Sequence, residues 1–60
     1  MIKAQVESSV FMGAYQDYHL VVNGKNIVVQ EYNPHYKRIF QAGEEAGLVI
    51  DPRSLHLVQA

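Results

Sequence analysis

The residues of this chain that are best suited to metal binding are its three histidines, His19, His35 and His56. Metal-ligating histidines usually stand two to five residues apart, so that one turn or one strand presents both rings to the same ion. No two of these histidines are that close, and the chain contains no cysteine. The sequence therefore predicts no metal site and no bound cofactor, and the missing thiol excludes disulfides and thiol catalysis.

Two further motifs are poorly arranged for phosphate binding or for acid–base catalysis. Gly24-Lys25 is followed by Asn26, where a phosphate-binding P-loop requires serine or threonine. Glu44-Glu45 follows a glycine, and adjacent carboxylates in a turn point apart into solvent, whereas acid–base catalysis needs groups that converge on a substrate. Neither motif predicts an active site.

A serine nucleophile needs a histidine base, although the two residues need not be close in sequence. None of the serines has a histidine at a suggestive spacing; they are Ser8, Ser9 and Ser54. Together with the missing P-loop, this predicts that the chain has no catalytic residue and is not an enzyme.

The composition allows one small domain of 60 residues, with 48% hydrophobic residues, 18% charged residues and a formal net charge of −1. This apolar content is too high for disorder, and the charge does not favour a protein that binds nucleic acid through its phosphates. A domain of this size buries only about 60% of its unfolded surface, so we expect support from oligomerisation or from a larger body. No apolar run approaches a membrane span and no signal pattern is present, so we expect a cytoplasmic protein.

Alternation of apolar and polar residues predicts the strands that would carry these side chains. The predicted inner face of the first strand consists of Ile2, Ala4, Val6, Ser8 and Val10. After a break at residues 12–17, the alternation resumes at residues 18–22. Asn23-Gly24 follows, and because both residues tolerate positive φ they predict a type I′ hairpin turn that leads into a third strand at residues 25–31.

Residues 32–43 are less regular and separate the third strand from two further predicted strands at residues 46–50 and 55–58. Tyr36, Ile39 and Phe40 are spaced as in a single helical turn that ends at Gly43, but an apolar-anchored loop fits equally well. Five short strands with one longer connection predict an all-β fold, a small five-stranded OB-like barrel. The residues expected to form its turns are Gly13, Asn23, Gly24, Gly43 and Pro52.

Several short motifs follow one another in an order that is more specific than any of them alone. They are Val10-Phe11-Met12-Gly13, Tyr18-His19-Leu20-Val21-Val22, Asn23-Gly24, Ile27-Val28-Val29, Tyr32-Asn33-Pro34, Gly43-Glu44-Glu45, Leu48-Val49-Ile50-Asp51-Pro52 and Leu55-His56-Leu57-Val58. In this order the chain resembles the transport-associated OB domain, or TOBE domain, at the C-terminus of the ATP-binding subunits of ABC importers. The resemblance extends over about residues 2–58.

The resemblance implies that residues 1–60 are a TOBE-like accessory, regulatory and dimerisation domain of a longer ATPase subunit, in an importer of polyamines, iron or sugars. Its implied partners are the ATPase domain of the same subunit and a second copy, with the membrane subunits reached indirectly. Its implied location is the inner face of the cell membrane. The alternatives are an oxyanion-binding module of the molybdate-binding type and an OB domain that binds single-stranded nucleic acid.

Three aromatic residues in and beside the long connection are candidate interface anchors: Tyr32, Tyr36 and Phe40. Aromatic side chains are enriched at protein interfaces, and loops on rigid scaffolds often carry function. The same residues would equally well plug the open end of the barrel. The sequence leaves both interpretations open.

Overall fold

Five antiparallel strands form a single sheet in a computed structural model that describes residues 2–32, 38–50 and 54–59. The strands are β1 (Ile2–Phe11), β2 (Tyr15–Val22), β3 (Lys25–Tyr32), β4 (Glu45–Ile50) and β5 (Leu55–Gln59). They are paired in the order β3-β2-β1-β4-β5. The two outer strands, β3 and β5, contact each other, which curls the sheet into an OB-like barrel. The all-β fold predicted from the alternation is confirmed.

The hairpin between β2 and β3 turns through Asn23 and Gly24, and Val22 pairs with Lys25 directly beside them. Both turn residues have positive φ, 50° at Asn23 and 77° at Gly24. A type I′ turn requires this conformation at both central positions, and its twist matches that of the two strands. Asn-Gly therefore fixes the register along the whole length of the hairpin.

Replacing the hairpin glycine should destabilise the domain without disturbing its core. Gly24→Ala places a Cβ at a φ of 77°, and L-residues in the left-handed region carry a cost of about 1–2 kcal/mol. Among the described residues, no heavy atom of a non-adjacent residue lies within 4 Å of that Cβ position, so the loss measures backbone strain. Urea unfolding checks this, with Asn23→Gly as the control, because glycine adopts positive φ freely. Equal unfolding midpoints for Gly24→Ala and wild type would contradict the prediction.

A bulge in β1 overturns the prediction that one face of this strand is buried throughout. The register is Val6 opposite Leu20, but Ser8 opposite His19, so β1 holds one residue more than β2 between these pairs. The extra residue reverses the inward and outward positions that follow it. Ser8 and Val10, predicted to face the core, therefore face outward, and Val10 is 48% exposed.

The described part of the long connection, residues 38–44, contains no helix. It ends in a turn at Gly43, whose φ is 93°. Two backbone hydrogen bonds attach this turn to β1, from Gly43 N to Val6 O at 2.8 Å and from Val6 N to Glu44 O at 2.9 Å. In this part of the chain the helical-turn alternative is wrong and the anchored loop is correct. Residues 33–37, including Tyr36, lie outside the described residues, as does Pro52.

Among the described residues, the core lies inside the barrel and combines inward residues of all five strands with Phe40 of the long connection. Its members are Ala4, Val6, Tyr18, Leu20, Val22, Val29, Phe40, Ala46, Leu48 and Leu57. Over the described ranges, no helix is long and apolar enough to cross a bilayer.

Candidate functional site

The barrel is closed between β3 and β5 by the side chain of Glu31, a residue that is buried. Its Oε2 atom accepts a hydrogen bond from the backbone N–H of Leu57 at 3.0 Å, and its Oε1 atom lies 2.9 Å from Nδ1 of His56. A side chain of β3 thus takes the place that a backbone carbonyl would hold in a continuous sheet. Without this carboxylate, the buried N–H of Leu57 would lose its acceptor.

Ser54 extends this contact into a chain of three hydrogen-bonding side chains, here called the seam relay: Ser54, His56 and Glu31. The Oγ atom of Ser54 lies 2.7 Å from Nε2 of His56. The exposed fraction of the side chain falls from 37% at His56 to 7% at Glu31. The relay therefore leads from the surface, where Ser54 is exposed, to a buried carboxylate.

The sequence-based interpretation that no serine has a suitably spaced histidine is wrong for Ser54, which contacts His56. Ser54 and His56 are two residues apart, and in extended chain two such residues project from the same face. A Ser-x-His sequence at the start of a strand was therefore a usable signal. Glu31 could not be assigned to the same group from sequence, because the strand pairing alone brings it beside β5.

A second polar contact lies on the strands next to Glu31. Gln16 is 4% exposed and is the cross-strand partner of Glu31. Its Nε2 atom donates to Ser9 Oγ at 2.8 Å, while its Oε1 atom is buried and has no hydrogen-bond partner among the described residues. The interior of the barrel thus changes from apolar to polar towards this end.

Tyr18 joins the barrel interior to the long connection. Its hydroxyl accepts a hydrogen bond from the backbone N–H of Phe40 at 3.1 Å, and the two rings meet edge to face with their centroids 6.4 Å apart. The guanidinium of Arg38 lies 4.6 Å from the centroid of the Phe40 ring and donates to Glu44 at 2.8 Å. Burial raises the pKa of Tyr18 above its ordinary value of 10.0, because the tyrosinate would lose its hydration.

Tyr18 should ionise at higher pH than an exposed tyrosine, with a matching effect on stability. Because the pKa of Tyr18 is raised in the folded state, its contribution to stability is complete below about pH 10 and is lost as the pH rises through the folded-state value. Absorbance titration of wild type and Tyr18→Phe measures this, since their difference isolates one of the 4 tyrosines. A difference curve centred at or below the value of a free tyrosine would contradict it.

A groove of about 400 Å³ lies beside the seam relay. Its walls are formed by Arg38, Phe40, His56, Leu57, Val58 and Gln59. His56 therefore belongs both to the relay and to the groove. The apolar residues of the groove are Phe40 of the long connection and Leu57 and Val58 of β5. A small apolar group could therefore bind next to His56.

The three predicted interface residues do not share one exposed surface. Tyr32 is 55% exposed, and its ring lies 5.2 Å from that of Tyr15. Phe40 is 2% exposed and belongs to the core, so it packs inside the barrel and is not an exposed interface anchor. Tyr36 lies outside the described residues. Of this group, Tyr32 alone is placed by the described structure where a partner could contact it.

The remaining histidine of the described strands, His19, is 3.2 Å from Asp17 through its Nε2 atom, and both side chains are on the outer surface of β2. Across the described ranges, no three histidine, aspartate or glutamate side chains are grouped closely enough to hold a metal ion. His35 lies outside these ranges.

The topology and the closed seam define the class of this protein, a small β-barrel domain of the OB type. Comparison with protein families identifies it further: the TOBE domain family matches residues 1–58, so the chain belongs to that family and the predicted resemblance is confirmed. The family is associated with ABC transporters and with molybdate-binding regulatory domains, and a TOBE domain is a non-catalytic accessory domain. Comparison with curated proteins and with solved structures gave no significant match.

Proposed function

We propose that this chain is an accessory and dimerisation domain of the ATP-binding subunit of an ABC importer, of the class that takes up polyamines, iron or sugars. The observation that carries the proposal is the TOBE family match over residues 1–58, together with the family's association with ABC transporters. Residues 1–60 are then one domain of a longer subunit at the inner face of the membrane. Its partners are the preceding ATPase domain and a second copy, and it reaches the membrane subunits through them.

An exposed surface at the β1–β2 turn supports a protein partner. We call it the aromatic end surface, and it consists of Phe11, Met12, Tyr15 and Tyr32. Phe11 is 56%, Met12 53% and Tyr32 55% exposed, and the N–H of Met12 donates to the carbonyl of Tyr15 at 2.9 Å. Aromatic residues and methionine are enriched at interfaces, and tyrosine is a frequent anchor. Tyr32 is the anchor that we assign to this surface.

Sedimentation equilibrium of the chain tests the anchor. Tyr32→Ala should raise the dimer dissociation constant about fivefold or more, because an anchor contributes more than about 1 kcal/mol. Val28→Ala is the matched control, since Val28 lies on the same strand, is 53% exposed and is not part of the aromatic end surface. Equal effects of the two substitutions would contradict the assignment.

The role of the whole domain is tested on an ATP-binding subunit that carries it. The subunit with residues 1–60 and the same subunit without them are compared by analytical ultracentrifugation. Deletion should weaken subunit pairing and leave the ATPase domain folded. Equal pairing of the two forms would remove the dimerisation function.

The family's association with molybdate-binding regulatory domains favours a second candidate function, an oxyanion-binding module. Oligomers of small barrels can hold an anion on backbone amides at their interfaces. Isothermal calorimetry with molybdate, tungstate and sulfate measures such binding directly. Binding heat with molybdate supports this candidate, and its absence at millimolar anion argues against it.

A further inference from the structure

The seam relay has the connectivity of an activated serine nucleophile. The Oγ atom of Ser54 is 2.7 Å from Nε2 of His56, and Nδ1 of the same ring is 2.9 Å from Oε1 of Glu31. Both separations are within hydrogen-bond distance. An activated nucleophile requires this order: a hydroxyl, a base that contacts it, and a third group that orients the base. Glu31 lies on β3 and His56 on β5, and Ser54 is the residue directly before β5.

The contacts of Glu31 determine which ring nitrogen carries the proton when His56 is neutral. Oε2 accepts from the N–H of Leu57 at 3.0 Å, which anchors the carboxylate, and Oε1 then acts as an acceptor for Nδ1–H of His56. A neutral imidazole with its proton on Nδ1 has a free electron pair on Nε2. Nε2 can therefore accept a proton from the hydroxyl of Ser54, as a general base must.

We propose that Ser54 is an activated nucleophile that accepts the acyl group of activated carboxylic esters, with His56 as its general base and Glu31 as the positioning residue. Oγ of Ser54 bonds to the carbonyl carbon while its proton passes to Nε2 of His56. The bond from that carbon to the leaving oxygen then breaks, and the alkoxide or phenoxide takes the proton from His56. The product is an ester on Ser54, so the proposed site is one of covalent modification.

The groove beside His56 indicates the kind of ester. It has a volume of about 400 Å³ and includes Phe40, Leu57 and Val58 in its lining. An apolar acyl chain next to the histidine would be removed from water against these side chains. We therefore use p-nitrophenyl butyrate as the probe, because its acyl group is apolar and its leaving group is coloured.

The chain supplies its own matched control. Ser8 is the cross-strand partner of His19, and His19 contacts Asp17 at 3.2 Å, so the same types of groups occur together on the outer face. His19 uses Nε2 for this aspartate, and within the described strands Ser8 makes no hydrogen bond to it. Ser8 is thus a serine next to a histidine and an aspartate, but it is not hydrogen-bonded to that histidine as Ser54 is to His56.

Acylation is measured by release of p-nitrophenolate and by peptide mass mapping, with acylation of Lys3 and Lys25 as the internal reference. We expect one butyryl group on Ser54, none on Ser8, and loss of the serine label in Ser54→Ala but not in Ser8→Ala. His56→Gln should lower the rate of Ser54 acylation about 10²-fold or more. Labelling of Ser54 no faster than of Ser8, or an unchanged rate in His56→Gln, would overturn the proposal.

Nitrogen-15 NMR of labelled histidine tests Glu31 independently of acylation. The wild type should show His56 protonated on Nδ1. Glu31→Gln can still accept from Leu57 N–H through its oxygen, but its NH₂ group donates to Nδ1, so His56 should become protonated on Nε2 and Ser54 should lose its base. Protonation on Nε2 in the wild type would exclude the assigned roles. Ser54→Ala, a change at an exposed position, keeps the acylation test valid if Glu31→Gln folds poorly.

Discussion

Glu31→Ala is expected to remove a large part of the stability of the domain. The substitution removes the acceptor of Leu57 N–H and the partner of His56, and it leaves a buried N–H without a hydrogen bond. Breaking one side of a buried charged contact costs about 3–5 kcal/mol, and a domain of this length has a stability of about 3–9 kcal/mol at 0.05–0.15 kcal/mol per residue. Urea unfolding followed by circular dichroism measures the loss.

The control for Glu31→Ala is Glu45→Ala, which removes an exposed carboxylate at the start of β4. Exposed substitutions of this kind usually change stability by less than about 0.5 kcal/mol. Comparable unfolding midpoints for the two variants would show that Glu31 does not stabilise the contact between β3 and β5. A large loss of stability in Glu31→Ala, with little change in Glu45→Ala, supports the closure mechanism.

Phe40→Ala is expected to cost about 3–5 kcal/mol, as removal of a large buried aromatic side chain usually does. Phe40 is 2% exposed, packs edge to face on Tyr18 and anchors the long connection through its own N–H. The same substitution at Tyr32, which is 55% exposed, should cost far less. Urea unfolding of the two variants measures this difference in the free energy of unfolding.

The pair of variants also separates the two interpretations of these aromatic residues. A core residue changes the stability of the monomer, whereas an interface anchor changes self-association with little change in monomer stability. We expect Phe40→Ala to act in the first way and Tyr32→Ala in the second. A small stability loss in Phe40→Ala would contradict the core assignment, and a stability loss in Tyr32→Ala as large as that of Phe40→Ala would contradict the separation.

The strands and the hairpin could be predicted because their signals are local. Alternation marks a strand before its partners are known, and Asn23-Gly24 has positive φ at both positions, as this dipeptide favours in any hairpin. β2 nevertheless begins at Tyr15, three residues before the predicted start. Asp17, which interrupts the apolar alternation, lies on the outer face of the strand, where a carboxylate remains hydrated.

The bulge in β1 could not be predicted in the same way, because it is a property of two strands. Val6 and Ser8 look like successive inward residues until they pair with Leu20 and His19, which are adjacent in β2 and leave Glu7 without an opposite residue. The position of Phe40 has a similar origin. The spacing of Phe40 from Tyr36 fits a helical turn. The N–H of Phe40 instead donates to the buried hydroxyl of Tyr18, which is 22 residues away in sequence.

The sequence by itself determined the all-β class, the order and approximate positions of the strands, the hairpin register and the family, because each follows from short-range pattern or from the order of motifs. Only the tertiary structure decided which side chains act together. Ser54 and His56 are neighbours in sequence, but Glu31 reaches them from a strand 25 residues earlier than His56. The closure of the barrel creates that contact, and no local pattern encodes the meeting of two strands at the opposite ends of a sheet.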